Sequence, residues 1–143
     1  VVPGIDGQKM SKSYGNAIEI FAGEKTMRDK VMRIKTDSTP VNEPKPIEGN
    51  LLFDIYSFFL DEKGKETLKE RFLTPGLKYG NIKKELFGVI WEHFAPYRKK
   101  REYLIHDRQF VLETMRKGAE KARQVAFAYL ERARRNVGLD YWN

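Results

Sequence analysis

The chain has 143 residues, 41% of them hydrophobic and 33% charged, a length that suits one compact domain with at most an appendage. It has no apolar run of about 18 residues and no cysteine, so the sequence predicts neither a membrane span nor a disulfide framework, and we expect a cytoplasmic protein. The net charge of +7 lies in residues 76–143, which carry 15 basic and 8 acidic side chains, whereas residues 1–75 carry 12 of each. This excess favours a polyanionic partner, with a solvated helical face as the alternative.

The first third of the chain is predicted to be a loop, a helix and a connector. Turn-forming residues dominate residues 1–16, which we expect to form a loop. Apolar residues then recur at helical spacing after Gly23 and predict a helix that ends before Asp37. Three prolines and few apolar residues predict an extended connector over residues 36–48, the best internal boundary of the chain.

The remainder is predicted to be helical. Asn50 and Asp61 are side-chain caps for two helices, a longer helix over residues 81–106 should kink at Pro96, and Asp107 caps the last helix. The inner face of the last helix is predicted to be buried and comprises Phe110, Val111, Met115, Ala119, Ala122, Ala126, Tyr129, Leu130 and Ala133. No strand-like alternation is long enough to predict a sheet. The predicted fold is therefore all-α, a helical bundle preceded by a loop segment.

The most informative segment is residues 9–13, which read KMSKS. Two lysines three residues apart on a loop flanked by glycines can bring two ammonium groups to one polyphosphate, and Ser11 and Ser13 add hydroxyl groups. The alternative is a flexible, solvated turn rich in lysine and serine. The spacing alone leaves both interpretations open.

This string resembles the second signature of class I aminoacyl-tRNA synthetases, the KMSKS loop. Its flanks, PGIDGQ at residues 3–8 and YGNAI at 14–18, are similar to the bacterial tryptophanyl-tRNA synthetases. The similarity continues at residues 36–38, 52–56, 79–83 and 117–123. It therefore covers essentially the whole chain.

The resemblance implies specific roles for the loop. In the family, its two lysines bind the ATP phosphates and stabilise the pyrophosphate leaving group while tryptophan is activated to tryptophanyl-adenylate. Those roles fall on Lys9 and Lys12, with Met10, Ser11 and Ser13 assisting phosphate binding. The resemblance also implies ATP with Mg²⁺, tryptophan and tRNA(Trp) as substrates and partners, and a homodimer as the full-length state.

One family signature has no counterpart here. Class I enzymes carry a HIGH motif in their Rossmann-type half, and neither His93 nor His106 lies in such a motif. Both histidines are predicted to be packing or surface residues, and no metal site is expected. We expect residues 1–22 to be the KMSKS loop and connector of a missing catalytic domain, and residues 23–143 the C-terminal helical, anticodon-binding domain. Alone, such a fragment should not activate an amino acid or bind a cofactor tightly, and its loop should be mobile.

The resemblance also assigns tRNA anticodon recognition to the helical part. The predicted RNA-binding residues are Arg98, Lys99, Lys100, Arg101, Arg116, Lys117, Lys121 and Arg123. Tyr97 and Tyr103 could stack on bases, although Tyr97 also fits core packing. The alternatives are a fragment of a tyrosyl-type class I synthetase, a stand-alone helical RNA-binding module, and a structural bundle whose charge serves solubility.

Overall fold

The structure is a computed structural model that describes residues 1–139, within which six α-helices form. The helices are α1 (Glu24–Met32), α2 (Leu51–Ser57), α3 (Glu62–Leu73), α4 (Tyr79–His93), α5 (Ala95–His106) and α6 (Arg108–Asn136). Across the same residues the only β pairing is an isolated antiparallel bridge between Pro3 and Lys9, which confirms the all-α prediction. Two compact units divide after Arg98. The separate division into catalytic-domain and anticodon-domain segments at residue 22 stays a prediction.

The predicted side-chain caps are confirmed. Asn50 accepts a hydrogen bond from the backbone N–H of Phe53 at 3.2 Å, and Asp61 accepts one from Gly64 at 2.8 Å. Asp107 accepts the corresponding bond from Phe110 at 3.0 Å. Each bond satisfies a backbone donor that the first turn of a helix leaves without an intrahelical partner.

The long helix predicted over residues 81–106 is two helices. The chain leaves the helical conformation at Phe94, where φ is −93° and ψ is 3°, and α5 starts at the next residue. Pro96 therefore lies in the first turn of α5, where its missing N–H removes no intrahelical hydrogen bond. The predicted kink is a break between two helices, and it lies two residues before the proline.

The core lies in the first unit, where α1 packs on α4 and α2 packs on α3. Its buried apolar side chains are Met27, Val31, Ile34, Leu52, Ile55, Tyr56, Leu68, Phe72, Ile82, Leu86, Phe87 and Ile90. Phe72 is fully buried, and its ring meets those of Phe53 and Tyr79 edge-on, at 5.4 and 6.2 Å between centroids. These aromatic contacts join α2, α3 and α4.

The connector is extended, as predicted, but it packs inside the first unit and does not separate two units. Its backbone N–H at Lys45 donates to the Phe72 carbonyl at 2.7 Å. The Lys45 side chain is only 1% exposed, and its ammonium group donates to the carbonyls of Thr39 and Pro40 at 2.7 and 2.5 Å. A buried amine paired in this way fixes the bend of the connector over α3.

The division between the units falls inside α5, so the second unit contains α5 from Lys99 onwards and α6. The prediction of a buried inner face on α6 is wrong. No described residue of either helix is buried, and Met115 and Tyr129 are 66% and 62% exposed. An amphipathic stripe is buried only where a second apolar face meets it, and no described residue of α5 or α6 is buried in this way. Among residues 1–139, no helix is both long and apolar enough to cross a membrane.

Candidate functional site

Residues 2–10 form a tight hairpin that carries Lys9 on its returning arm. The Gly4 N–H donates to the Gln8 carbonyl at 2.7 Å, and the Met10 N–H donates to the Val2 carbonyl at 3.0 Å. The turn between the arms contains Gly7, whose φ of +86° lies in the region that favours glycine. The Asp6-Gly7 pair therefore forms the turn of the hairpin.

A second turn presents Lys12. The Gly15 N–H donates to the Lys12 carbonyl at 3.1 Å, and the hydroxyl groups of Ser11 and Ser13 are hydrogen-bonded at 2.8 Å. The Lys30 ammonium group of α1 donates to the Gly15 carbonyl at 2.5 Å. This bond fastens the loop to a helix that also supplies Met27 and Val31 to the core of the first unit.

Asn16 lies at the centre of the loop and is only 2% exposed. Its side-chain oxygen accepts from the Ser11 N–H at 2.8 Å, and its amide nitrogen donates to the Asp6 carboxylate at 2.9 Å and to the Lys9 carbonyl at 3.1 Å. The hydrogen bond from Asn16 lowers the pKa of Asp6. One buried carboxamide thus joins the two turns.

The two lysines of the signature project from this frame. The side chains of Lys9 and Lys12 are exposed and have no ion pair or hydrogen bond within the described part of the chain. Lys9 also lines a cleft of about 600 Å³ together with Phe58, Lys65 and Asp54. Burial raises the pKa of Asp54. The arrangement offers two free cations to an anionic ligand at the edge of an otherwise hydrogen-bonded loop.

The predicted RNA-binding residues are distributed over both units. In the first unit, the Arg98 guanidinium lies 3.5 Å from the Trp91 ring centroid and donates to the Trp91 carbonyl at 2.5 Å. The Arg98 side chain is therefore packed against α4. In the second unit, Lys100 lies 5.3 Å from the Tyr103 ring centroid. The predicted RNA-binding residues of the second unit are all exposed, and they are Lys99, Lys100, Arg101, Arg116, Lys117, Lys121 and Arg123. Tyr97 is 57% exposed, which disfavours core packing for it.

The histidines behave as packing and surface residues. His93 is exposed, and its ring meets those of Phe59 and Phe94 edge-on, at 5.4 and 4.8 Å. His106 is exposed as well. Within residues 1–139 there is no group of three or more His, Asp or Glu side chains that could hold a metal ion.

Sequence reasoning missed most of the residues that hold the loop. The role of Asn16 gives no sequence signal, because its hydrogen bonds to residues five to ten positions earlier have no periodicity. Lys30 resembles any polar residue of an amphipathic helix. Gly4 is needed because a Cβ there would lie 2.4 Å from the Asn16 carboxamide, which only the folded loop reveals.

These features define, within residues 1–139, a helical segment preceded by a hydrogen-bonded loop that presents two exposed lysines. The sequence profile of the family described as tRNA synthetases class I (W and Y) matches residues 1–95, nearly the whole first unit. The chain therefore belongs to this family of class I tRNA synthetases, as the KMSKS resemblance predicted.

Individual relatives agree with this assignment. The tryptophan–tRNA ligases of Rhodopirellula baltica and Fusobacterium nucleatum are 45% and 42% identical to the chain, across 96% and 97% of its length. A crystal structure of tryptophanyl-tRNA synthetase from Campylobacter jejuni, complexed with ADP and tryptophan, superposes with a TM-score of 0.86 over 96% of the chain at 38% identity. The chain spans 42–43% of the length of these relatives.

Proposed function

We propose that this chain is part of a tryptophan–tRNA ligase, to which it contributes the loop that binds the ATP phosphates and helices that bind tRNA(Trp). The observation that carries the proposal is the hydrogen-bonded frame around Asn16, from which Lys9 and Lys12 project without partners among the described residues. The identity of 34–45% to proteins named tryptophan–tRNA ligases supports tryptophan as the amino acid.

The proposed chemistry is the activation of tryptophan. The tryptophan carboxylate attacks the α-phosphorus of ATP, a new P–O bond forms, the bond to the bridging oxygen breaks, and pyrophosphate leaves with the electron pair. Negative charge grows on the leaving group, so cations that approach it more closely in the transition state lower the barrier. Lys9 and Lys12 are assigned this role, with Met10, Ser11 and Ser13 lining the phosphate site. We expect Mg²⁺ to accompany the ATP phosphates and the Rossmann-type half to lie elsewhere in the full-length protein.

The test neutralises each lysine in the full-length gene product. Lys9→Ala and Lys12→Ala should each lower kcat of tryptophan-dependent ATP–pyrophosphate exchange by about 100-fold, the typical effect of removing one group that stabilises transition-state charge. Lys25→Ala is the matched control because Lys25 is an exposed lysine of α1 outside the loop. Unchanged kcat in both loop variants would refute the assignment.

The tRNA part of the proposal rests on charge. Residues 99–143 carry 11 basic and 6 acidic side chains, and the predicted RNA-binding lysines and arginines of the second unit are exposed. Exposed cations that neutralise RNA phosphates release counterions, so the affinity should fall as salt rises. Arg98 is the exception, because its guanidinium already lies over Trp91.

Binding to labelled anticodon stem-loops tests this part, with the CCA anticodon compared with permuted anticodons at two salt concentrations. Lys117→Glu and Lys121→Glu should weaken binding and lower the slope of log affinity against log salt by about one each. Lys63→Glu on α3 of the first unit is the control. Equal binding of all anticodons would indicate a general RNA surface, and salt-independent binding would contradict the proposed surface.

The tyrosyl alternative remains testable because the family profile covers both enzyme types. Replacement of tryptophan by tyrosine in the exchange assay separates them, and we expect tryptophan to be the active substrate.

We also propose that the full-length protein is a homodimer, which sedimentation of the gene product would measure.

A further inference from the structure

We propose that Asn16 is a positioning residue for the activation step: its carboxamide sets the conformation that presents Lys9 and Lys12 to the phosphates. The effect of Asn16 on catalysis rests on the proposed function. The structural part of the inference, that Asn16 holds the loop, stands on the geometry alone.

The carboxamide reaches every part of the loop. Its nitrogen donates to the carboxylate of Asp6, in the turn between the two arms of the hairpin, and to the carbonyl of Lys9 itself. Its oxygen binds the N–H of Ser11, between the two lysines. The backbone carbonyl of Asn16 accepts a further bond from the Ile5 N–H at 3.0 Å. The residue therefore fixes the backbone on both sides of Lys9 and immediately before Lys12.

The polarity of these bonds requires an amide. The nitrogen side of Asn16 faces two acceptors, the Asp6 carboxylate and the Lys9 carbonyl, while the oxygen side faces a donor. An ionised carboxylate of the same shape would point an oxygen at both acceptors and repel Asp6. A protonated carboxyl group could restore one of the two donated bonds.

A comparison with the other buried asparagine separates loop positioning from general stability. Asn50 is 6% exposed, caps α2, and donates to the Pro46 carbonyl and to the Tyr79 hydroxyl group. Its partners belong to the connector, α2 and α4, and none belongs to the loop. Asn42 is a second reference because it is exposed on the connector.

The test is Asn16→Asp in the full-length gene product, with Asn50→Asp and Asn42→Asp as matched charge changes. Hydrogen exchange of the peptide that covers residues 6–16 should accelerate about tenfold or more in Asn16→Asp, the effect expected from losing at least one hydrogen bond. In ATP–pyrophosphate exchange, kcat should fall about tenfold or more while KM for tryptophan stays within about twofold, because the loop contacts phosphate and not the amino acid.

The pH dependence supplies a signature that a merely structural role would not give. The deficit of Asn16→Asp relative to the parent should shrink as pH falls and the introduced carboxyl group protonates, since the protonated form donates a hydrogen bond again. The charged groups around it are Asp6, which favours protonation, and Lys9, Lys30 and Lys35, which oppose it.

The outcomes separate the two proposals. Unchanged loop exchange in Asn16→Asp, a pH-independent deficit, or an equal release of the loop in Asn50→Asp or Asn42→Asp would overturn the role of Asn16. Normal kinetics in Lys9→Ala and Lys12→Ala would instead overturn the phosphate-binding proposal, whatever the exchange data for residues 6–16 report.

Discussion

The substitution Gly4→Ala tests the loop frame from the backbone side. An alanine Cβ at this position would lie 2.4 Å from both Cγ and Nδ2 of Asn16, about 1 Å inside ordinary van der Waals contact. Asn16 cannot yield without breaking its three side-chain hydrogen bonds, each of which contributes about 1 kcal/mol net. We therefore expect the loop to open more easily by about 2–3 kcal/mol, a factor of about 30–150 in its opening equilibrium.

The control makes the same chemical change where there is space. Gly88 lies within α4, and a Cβ added to it would have nothing within 4 Å, so Gly88→Ala should raise the free energy of unfolding by about 0.5–1 kcal/mol. Native-state hydrogen exchange of the Ser11 amide measures the loop, and urea denaturation measures the whole chain. Parent-like Ser11 protection in Gly4→Ala would refute the steric argument.

Three further changes test how the first unit is held. Lys45→Met leaves two backbone carbonyls without their buried donor and should lower the free energy of unfolding in urea by about 2–4 kcal/mol; no loss would contradict the pairing. Burial and the hydrogen bond to Asp37 raise the pKa of Tyr79 from 10.0 to about 12. As pH rises, the unfolded chain loses the Tyr79 proton before the folded chain does, so the free energy of unfolding should decline between those two pKa values. Tyr79→Phe should remove that part of the decline, whereas an unchanged pH profile would argue against it. Arg71 and Glu85 form two hydrogen bonds of 2.9 Å between α3 and α4, and a double-alanine cycle should give about 0.5–1 kcal/mol because both side chains are 43% exposed.

Local rules account for the part of the fold that the sequence predicted well. The caps at Asn50, Asp61 and Asp107 were predictable because a short polar side chain just before an apolar periodic segment can accept a hydrogen bond from a backbone N–H in the first turn of the helix. The break near Pro96 was predictable in kind but not in position. The helix ends earlier, at His93, and the chain leaves the helical conformation at Phe94. A continuous helix is disfavoured across this turn because Pro96 has no N–H to donate to the Glu92 carbonyl four residues before it.

Periodicity predicted less about α6. Met115 and Tyr129 share one helical stripe, and small residues such as Ala122 continue it. A stripe of this kind indicates that a helix has a side suited to burial, but burial also needs an apolar face opposite it. Neither α5 nor α6 has a buried residue, so the predicted inner face is an exposed stripe in this structure.

The loop is the part of the first unit that periodicity describes least. Its mobility in a chain without the catalytic half stays a prediction. The hydrogen bonds of Asn16 that hold its backbone join residues five to ten positions apart, which no periodic pattern reports. The ammonium groups of Lys9 and Lys12 take no part in this network within the described residues. Such a frame would suit the polyphosphate binding proposed above, because a backbone that is already hydrogen-bonded loses little conformational freedom when a ligand binds. The same reasoning explains why Asn16, which carries no charge, is the residue whose replacement should disturb both lysines at once.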